Sequence, residues 1–300
     1  MWKAYTLLLI IYLAEAGVVV SIPDLKPIVG EIYEGEVEFV LPANADPHLY
    51  SPSREDFEKV ARSDLCILAN SEIISFETEI KRFCRNSLDF SDYNATILSF
   101  PGIGKNYHAY WLYPENAIKI AEKLKDKLIE IQPEKEEFYK TRFERFVEEV
   151  RKAQTDAEYI VRTVKHYDFI AMDPHTAYAV AALKLNTSFV FPEEVPPSLA
   201  DIPKKKGNCI VVIAEYQKGT KLEDIGREVA RELNCGFSAI DVMTEIRYSS
   251  KLISNAAKLS NPEFKNEGSA VSLALGVLGS LALIEALVIV VLWRRLQRKI

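Results

Sequence analysis

Residues 133–154 read PEKEEFYKTRFERFVEEVRKAQ. Pro133 suits the first turn of a helix, and Phe138, Phe143, Phe146 and Val150 recur at helical spacing among Glu, Lys and Arg. The pattern predicts one long, strongly charged helix, and the flanking sequence shows what it joins. Upstream, apolar β-type runs at 18–22, 37–41, 65–68 and 95–100 alternate with helical stretches at 24–34, 53–62 and 71–83. An amphipathic helix at 114–131 follows. Downstream, strand-like runs at 169–172, 188–191, 210–214 and 237–240 alternate with helices at 176–183 and 222–233, and a helix at 249–258 closes the series. Repeated strand–helix units imply parallel sheets covered by helices. The expected fold is therefore α/β: two lobes with mostly parallel sheets joined by a long rigid helix.

Both ends carry signals of a different kind. Lys3, an apolar run at 7–13 and Ala14-Glu15-Ala16 form the n-region, h-region and cleavage site of a signal peptide. From 269 to 293 the chain has no Lys, Arg or Asp and only one Glu, Glu285. As a helix this stretch is roughly 37 Å long, enough to cross a ~30 Å hydrocarbon core. Arg294, Arg295, Arg298 and Lys299 follow, and such clusters stay in the cytoplasm. Glu285 faces a membrane partner or sits protonated; both readings stay open. The expected organisation is a signal peptide at 1–16, an N-terminal lobe at 17–132, the connecting helix at 133–157 and a C-terminal lobe at 158–260. A linker at 261–268, a transmembrane helix at 269–293 and a basic cytoplasmic tail at 294–300 complete it. The body then lies outside the cell on a single-pass anchor.

Hydrophobic residues make up 48% of the chain, which suits a sizeable buried core, and the net charge of −6 argues against a general nucleic-acid partner. Cys66, Cys84, Cys209 and Cys235 contain no C-x-x-C pair, so a thiolate zinc site is not expected. Cys209 and Cys235 each precede a strand-like run, so a disulfide across neighbouring parallel strands and four free thiols are both open. Asn94 and Asn186 head glycosylation sequons.

Only four histidines occur in the chain, and three fall in loops after strands or before helices. His48 follows the run at 37–41 in Asp46-Pro47-His48, His108 precedes the helix at 114, and His175 follows the run at 169–172 in Asp173-Pro174-His175. Asp-Pro-His thus appears once in each half, at strand ends read as equivalent. Asp241 ends the run at 237–240. Imidazole is a common ligand for zinc and its neighbours, and carboxylates complete such sites. Ligands of parallel α/β sheets gather beyond the carboxyl ends of the strands. His166, in a helix-to-strand connection, lacks that placement.

These segments resemble the metal-binding substrate receptors of ABC importers, the zinc/manganese cluster with two lobes joined by one long helix. The resemblance runs from about Val18 to Ala257. Asp46-Pro47-His48-Leu49-Tyr50 resembles the segment with the family's first histidine ligand, and Ala69-Asn70-Ser71-Glu72 the following strand end. Trp111-Leu112-Tyr113-Pro114-Glu115 resembles the second-ligand motif, but His108 stands three residues before Trp111, and the usual histidine position is Ala109. His175 matches the third ligand and Asp241 the last, although Val242 replaces the usual following proline. Ile213-Ala214-Glu215 resembles a strand whose Glu215 supports the site without binding metal. The resemblance implies capture of Zn2+, or alternatively Mn2+, by His48, His108, His175 and Asp241, and delivery to an ABC permease and its ATPase. It implies no enzyme activity.

Two other functions compete. A surface metallohydrolase needs an open metal position and a base, for which Glu215 is the one candidate; neither H-E-x-x-H nor G-x-S-x-G is present. A same-fold receptor for a metal chelate or another ligand would not need four convergent ligands.

Overall fold

The computed structural model describes residues 17–43, 45–192, 208–243 and 246–264. The signal peptide at 1–16 and the transmembrane helix and tail at 269–300, with Glu285, lie outside them. Among the described residues no helix is long and apolar enough to cross a membrane.

The first lobe is built on a four-stranded parallel sheet of β1 (Val18–Val20), β2 (Val37–Phe39), β3 (Leu65–Ile67) and β4 (Ser87–Leu88), in the order β2-β1-β3-β4. The second has β7 (Asp168–Ala171), β8 (Thr187–Val190), β9 (Cys209–Ala214) and β10 (Gly236–Ile240), again parallel, in the order β10-β9-β7-β8. Counted within each lobe the two orders are the same: second, first, third, fourth. The chain therefore leaves its first strand in one direction and returns to build in the other, once per lobe. That reversal opens a crevice beyond the carboxyl ends of the first and third strands.

The fourth strand of the first lobe corrects the expectation at 95–100. There the Asn116 side chain pairs with both Thr96 N–H (2.7 Å) and Thr96 C=O (2.8 Å), which holds the chain along the next helix. Only Ser99–Phe100 (β5) extends, pairing antiparallel with Gly104–Lys105 (β6). Gly102, at the tip, has φ +99° and lies against the second lobe, where a Cβ would meet Val190 O at 2.3 Å.

Helices α1 (Lys26–Ile32), α2 (Arg54–Arg62), α3 (Ser75–Lys81), α4 (Phe90–Tyr93), α5 (Pro114–Ile131), α7 (Pro174–Ala181), α8 (Lys221–Leu233) and α9 (Tyr248–Ser260) cover the sheets. The charged stretch becomes a 3₁₀ turn at Pro133–Lys135 and then α6, Glu136–Ile160. It buries Tyr139, Phe146, Val150, Ala153 and Ala157 against α1 and α5 of the first lobe and α9 of the second. Arg142 also donates to the C-terminal carbonyls of α1, Gly30 O and Glu31 O, each at 2.8 Å. One apolar core runs unbroken from Val18 to Leu259 through both lobes. On β9 alternate residues divide: Ile210, Val212 and Ala214 join that core, while Cys209, Val211 and Ile213 face a second layer under α8. Both faces are covered, as a parallel sheet requires.

Both cysteine pairs form disulfides, Cys66–Cys84 and Cys209–Cys235. The second staples the amino-terminal ends of β9 and β10, since Gly236 pairs with Ile210. Asn94 and Asn186 are both exposed.

Candidate metal centre

Three of the four histidines meet in one cavity between the lobes. It is lined by His48, His108 and His175, with Asp24, Trp111 and Met243 among its walls. His48 lies beyond β2 in a turn where its N–H donates to Asp46 Oδ1 (2.8 Å). His175 is the second residue of α7, whose N-cap Asp173 accepts from Thr176 N (2.8 Å). Its Nδ1 is buried without a hydrogen-bond partner and lies 3.8 Å from Asp173 Oδ1.

His108 is held by Asn106, a buried residue that the sequence reading missed. Asn106 Oδ1 accepts from His108 N (2.9 Å), and its Nδ2 donates to Pro174 O (2.8 Å), the residue before His175. One side chain thus positions two of the three histidine loops. The displacement of His108 from the usual spacing is absorbed at Ala109, which is buried in the left-handed region at φ 53°.

The ring centres of His48 and His108 are 5.6 Å apart, and those of His108 and His175 6.2 Å. Tetrahedral zinc with Zn–N bonds of ~2.0–2.1 Å places imidazole centres roughly 5 Å apart. These two pairs stand roughly 0.6 and 1.2 Å beyond that spacing. Among the described residues no three His, Cys, Asp or Glu groups stand close enough to hold an ion without such an adjustment.

The cavity holds about 40 Å³. That is space for an ion or a few waters, against the roughly 300–1,000 Å³ of pockets that enclose organic ligands. Ala69 and Asn70 belong to its lining, and behind them Glu77, fully buried, accepts from Ala69 N (3.0 Å) and Asn70 N (2.7 Å). Burial pushes the Glu77 carboxyl up to about 7.

The carboxylates depart from expectation. Asp241 does not line the cavity: its Oδ2 accepts from Lys258 Nζ (2.9 Å) and Ser254 Oγ (3.1 Å), turning the side chain toward α9. Glu215 is likewise held by Lys218 (2.7 Å) and Lys258 (2.8 Å) away from the cavity. Burial favours its neutral form, but the two lysines outweigh this and hold it below the usual range. Glu215, the candidate base of a hydrolase, is therefore not part of the cavity lining. Asp24, not singled out in the sequence, does line the cavity and is 8% exposed. Burial raises its carboxyl, opposed by Lys251 and then His175. Lys251 is itself buried, which lowers it to about 8 against Asp24 and Asp241. The two Asp-Pro-His stretches also prove inequivalent: His48 follows the second strand of its lobe, His175 the first. His166 packs on Tyr167 and is not part of the lining.

A family profile described as ZnuA, zinc-uptake complex component A, periplasmic, matches residues 18–259. The zinc-binding protein AdcA of Streptococcus pyogenes serotype M3 is 21% identical over 218 residues, 64% of this chain and 41% of that protein. The manganese-binding lipoprotein MntA of Halalkalibacterium halodurans is 27% identical over 135 residues, 43% of each chain. This chain thus spans less than half the length of these relatives. The crystal structure of ZnuA superposes with a TM-score of 0.66 at 23% identity, covering 83% of this chain and 99% of that one. A zinc-bound ZnuA deletion mutant gives 0.68 at 21%, covering 84% and 100%. With its profile matched across both lobes, the chain belongs to the ZnuA family of periplasmic zinc-uptake components.

Proposed function

We propose that this chain is an extracytoplasmic receptor that captures a divalent transition-metal ion and hands it to an ABC permease and its ATPase. The observation that carries this reading is the convergence of His48, His108 and His175 on an ion-sized cavity between two lobes. Zinc is the preferred substrate. Three nitrogen donors suit it, whereas manganese favours more oxygen. The names of AdcA and MntA keep both metals within the family's range. The volume of the cavity argues against a chelate or a haem-like ligand. In this reading the signal peptide at 1–16 exports the body, the helix at 269–293 anchors it, and the tail at 294–300 stays in the cytoplasm.

Equilibrium dialysis of the full-length chain in detergent, with metal analysis, is the test. One zinc per chain is expected, with affinity reduced by orders of magnitude in His48→Ala and His175→Ala and unchanged in His166→Ala. Stoichiometric zinc that survives both cavity substitutions would place the site elsewhere.

A further inference from the structure

Resting on the reading of this cavity as a metal centre, we infer that Asp173, fixed by Gln217, is the positioning residue of His175. It accepts the N–H that remains on Nδ1 when Nε2 takes the ion. A metal-binding histidine uses both ring nitrogens: one bonds the metal, and the other carries the proton and needs an acceptor. In His175 the Nδ1 atom is buried with no hydrogen-bond partner, so Nε2 is the nitrogen open to the cavity. Beside Nδ1 stands Asp173 Oδ1, at 3.8 Å. An approach of about 0.9 Å turns that contact into a hydrogen bond of ordinary length.

The surroundings of Asp173 suit this role. The residue is buried and held at both carboxylate oxygens. Oδ1 accepts from Thr176 N (2.8 Å), and Oδ2 accepts from Gln217 Nε2 (2.6 Å). Gln217 is itself buried, and its Oε1 accepts from Ala214 N (2.9 Å), the last residue of β9. The carboxylate is thus tied between the ends of two neighbouring strands, β7 and β9. An oxygen with two lone pairs keeps one after capping α7, so Oδ1 has room for a second donor. Capping alone does not call for Asp here, because Ser caps as well and a buried carboxylate is costly without a cation. Among the described residues no Lys or Arg pairs with Asp173, and its ionic neighbour is His175. A divalent ion on Nε2 would set positive charge opposite the carboxylate through the ring. In the other Asp-Pro-His stretch the aspartate is engaged differently, since Asp46 Oδ1 accepts from the backbone of His48.

The chain has four histidines, few enough to follow each ring. Long-range proton–nitrogen NMR on the full-length chain in detergent, with isotopically labelled histidine rings, reads the tautomer with and without zinc. Chelator competition reads the affinity. Asp173→Ser keeps a helix cap and withdraws the acceptor, Gln217→Met cuts the tie to β9, and His175→Ala assigns the signal. The zinc-loaded native chain should carry the His175 proton on Nδ1, exchanging slowly with water. Asp173→Ser should open that proton to fast exchange and lower zinc affinity about 10–100-fold, and Gln217→Met should lower it by about tenfold. Melting of the metal-free variants shows that each is folded at the titration temperature. A proton on Nε2 in the zinc-loaded native chain overturns the inference, as does an affinity of Asp173→Ser within about threefold of native. A loss of affinity with the slow proton retained also overturns it, because Asp173 would then act on α7 alone. In all three cases His175→Ala still loses zinc; should that variant bind zinc as the native chain does, the metal-centre reading itself falls.

Discussion

Lys258 Nζ sits between two carboxylates, 2.9 Å from Asp241 Oδ2 and 2.8 Å from Glu215 Oε1. It ties the end of β10 to the end of β9 through α9, and it turns Asp241 from the cavity. Replacing Lys258 by Met leaves two partly buried carboxylates facing each other and should cost about 1–3 kcal/mol of stability, read from urea unfolding. With Asp241 turned from the cavity as the structure has it, zinc affinity should stay within about threefold. Were Asp241 a ligand, freeing it from Lys258 would strengthen binding by about tenfold, or 1.4 kcal/mol. A gain of that size would place Asp241 among the ligands.

Asn106 carries the geometry of the site without entering its lining. Asn106→Ala strands the His108 N–H and the Pro174 carbonyl in a buried setting, which should cost about 2–3 kcal/mol. The two histidine loops also lose their tie, so zinc affinity should fall by about 10–100-fold, as for groups that orient metal ligands. Competition titration against a zinc chelator measures this. An affinity within twofold of the native chain, at comparable folding, would show that the loops are positioned by packing alone.

The legible parts of this protein were those with local signatures. The charged helix and the three histidine loops each announce themselves within a few residues, and the structure contains each of them. Three features were not legible, each for a physical reason. β4 is two residues long and is a strand only because β3 offers it partners. Asn106 looks like any loop asparagine until Pro174, from the other half of the chain, arrives beside it. Asp24 was hidden because the repeated Asp-Pro-His suggested the wrong pairing of the lobes. The correspondence runs through strand order, pairing Pro23-Asp24 with Pro174-His175, and strand order appears only in the sheet.

Glu77 should give metal-free protein a measurable pH signature. Its carboxyl titrates near 7 in the fold, against 4.5 when exposed. Between those values the folded chain keeps a proton that the unfolded chain has released, so stability falls as pH rises through the window. The contribution is full below pH 4.5 and lost above 7; its size is up to about 3 kcal/mol. Urea unfolding at pH 5 and pH 8 should show a larger fall for the native chain than for Glu77→Gln, which cannot ionise. Equal slopes would show that Glu77 keeps one protonation state across the range.

The Cys209–Cys235 bridge lies at the amino-terminal ends of β9 and β10, while His175 stands beyond the carboxyl end of the neighbouring β7. Stability and metal binding should therefore separate along the strands. The bridge spans 26 residues, including α8, and closing a loop of that length removes about 3.5 kcal/mol of unfolded-chain entropy at 25 °C in the chain-entropy treatment. The Cys209→Ser/Cys235→Ser double variant should lose stability of that order in denaturant unfolding, with Cys66–Cys84 intact. β9 and β10 remain held by five register pairs and by the apolar layer under α8, so the cavity should survive. Zinc affinity at 25 °C is expected within about threefold of the native chain, below the 10–100-fold that follows loss of a group orienting a ligand. A fall of affinity in step with stability would instead mean that the second sheet must be stapled before His175 can reach the ion.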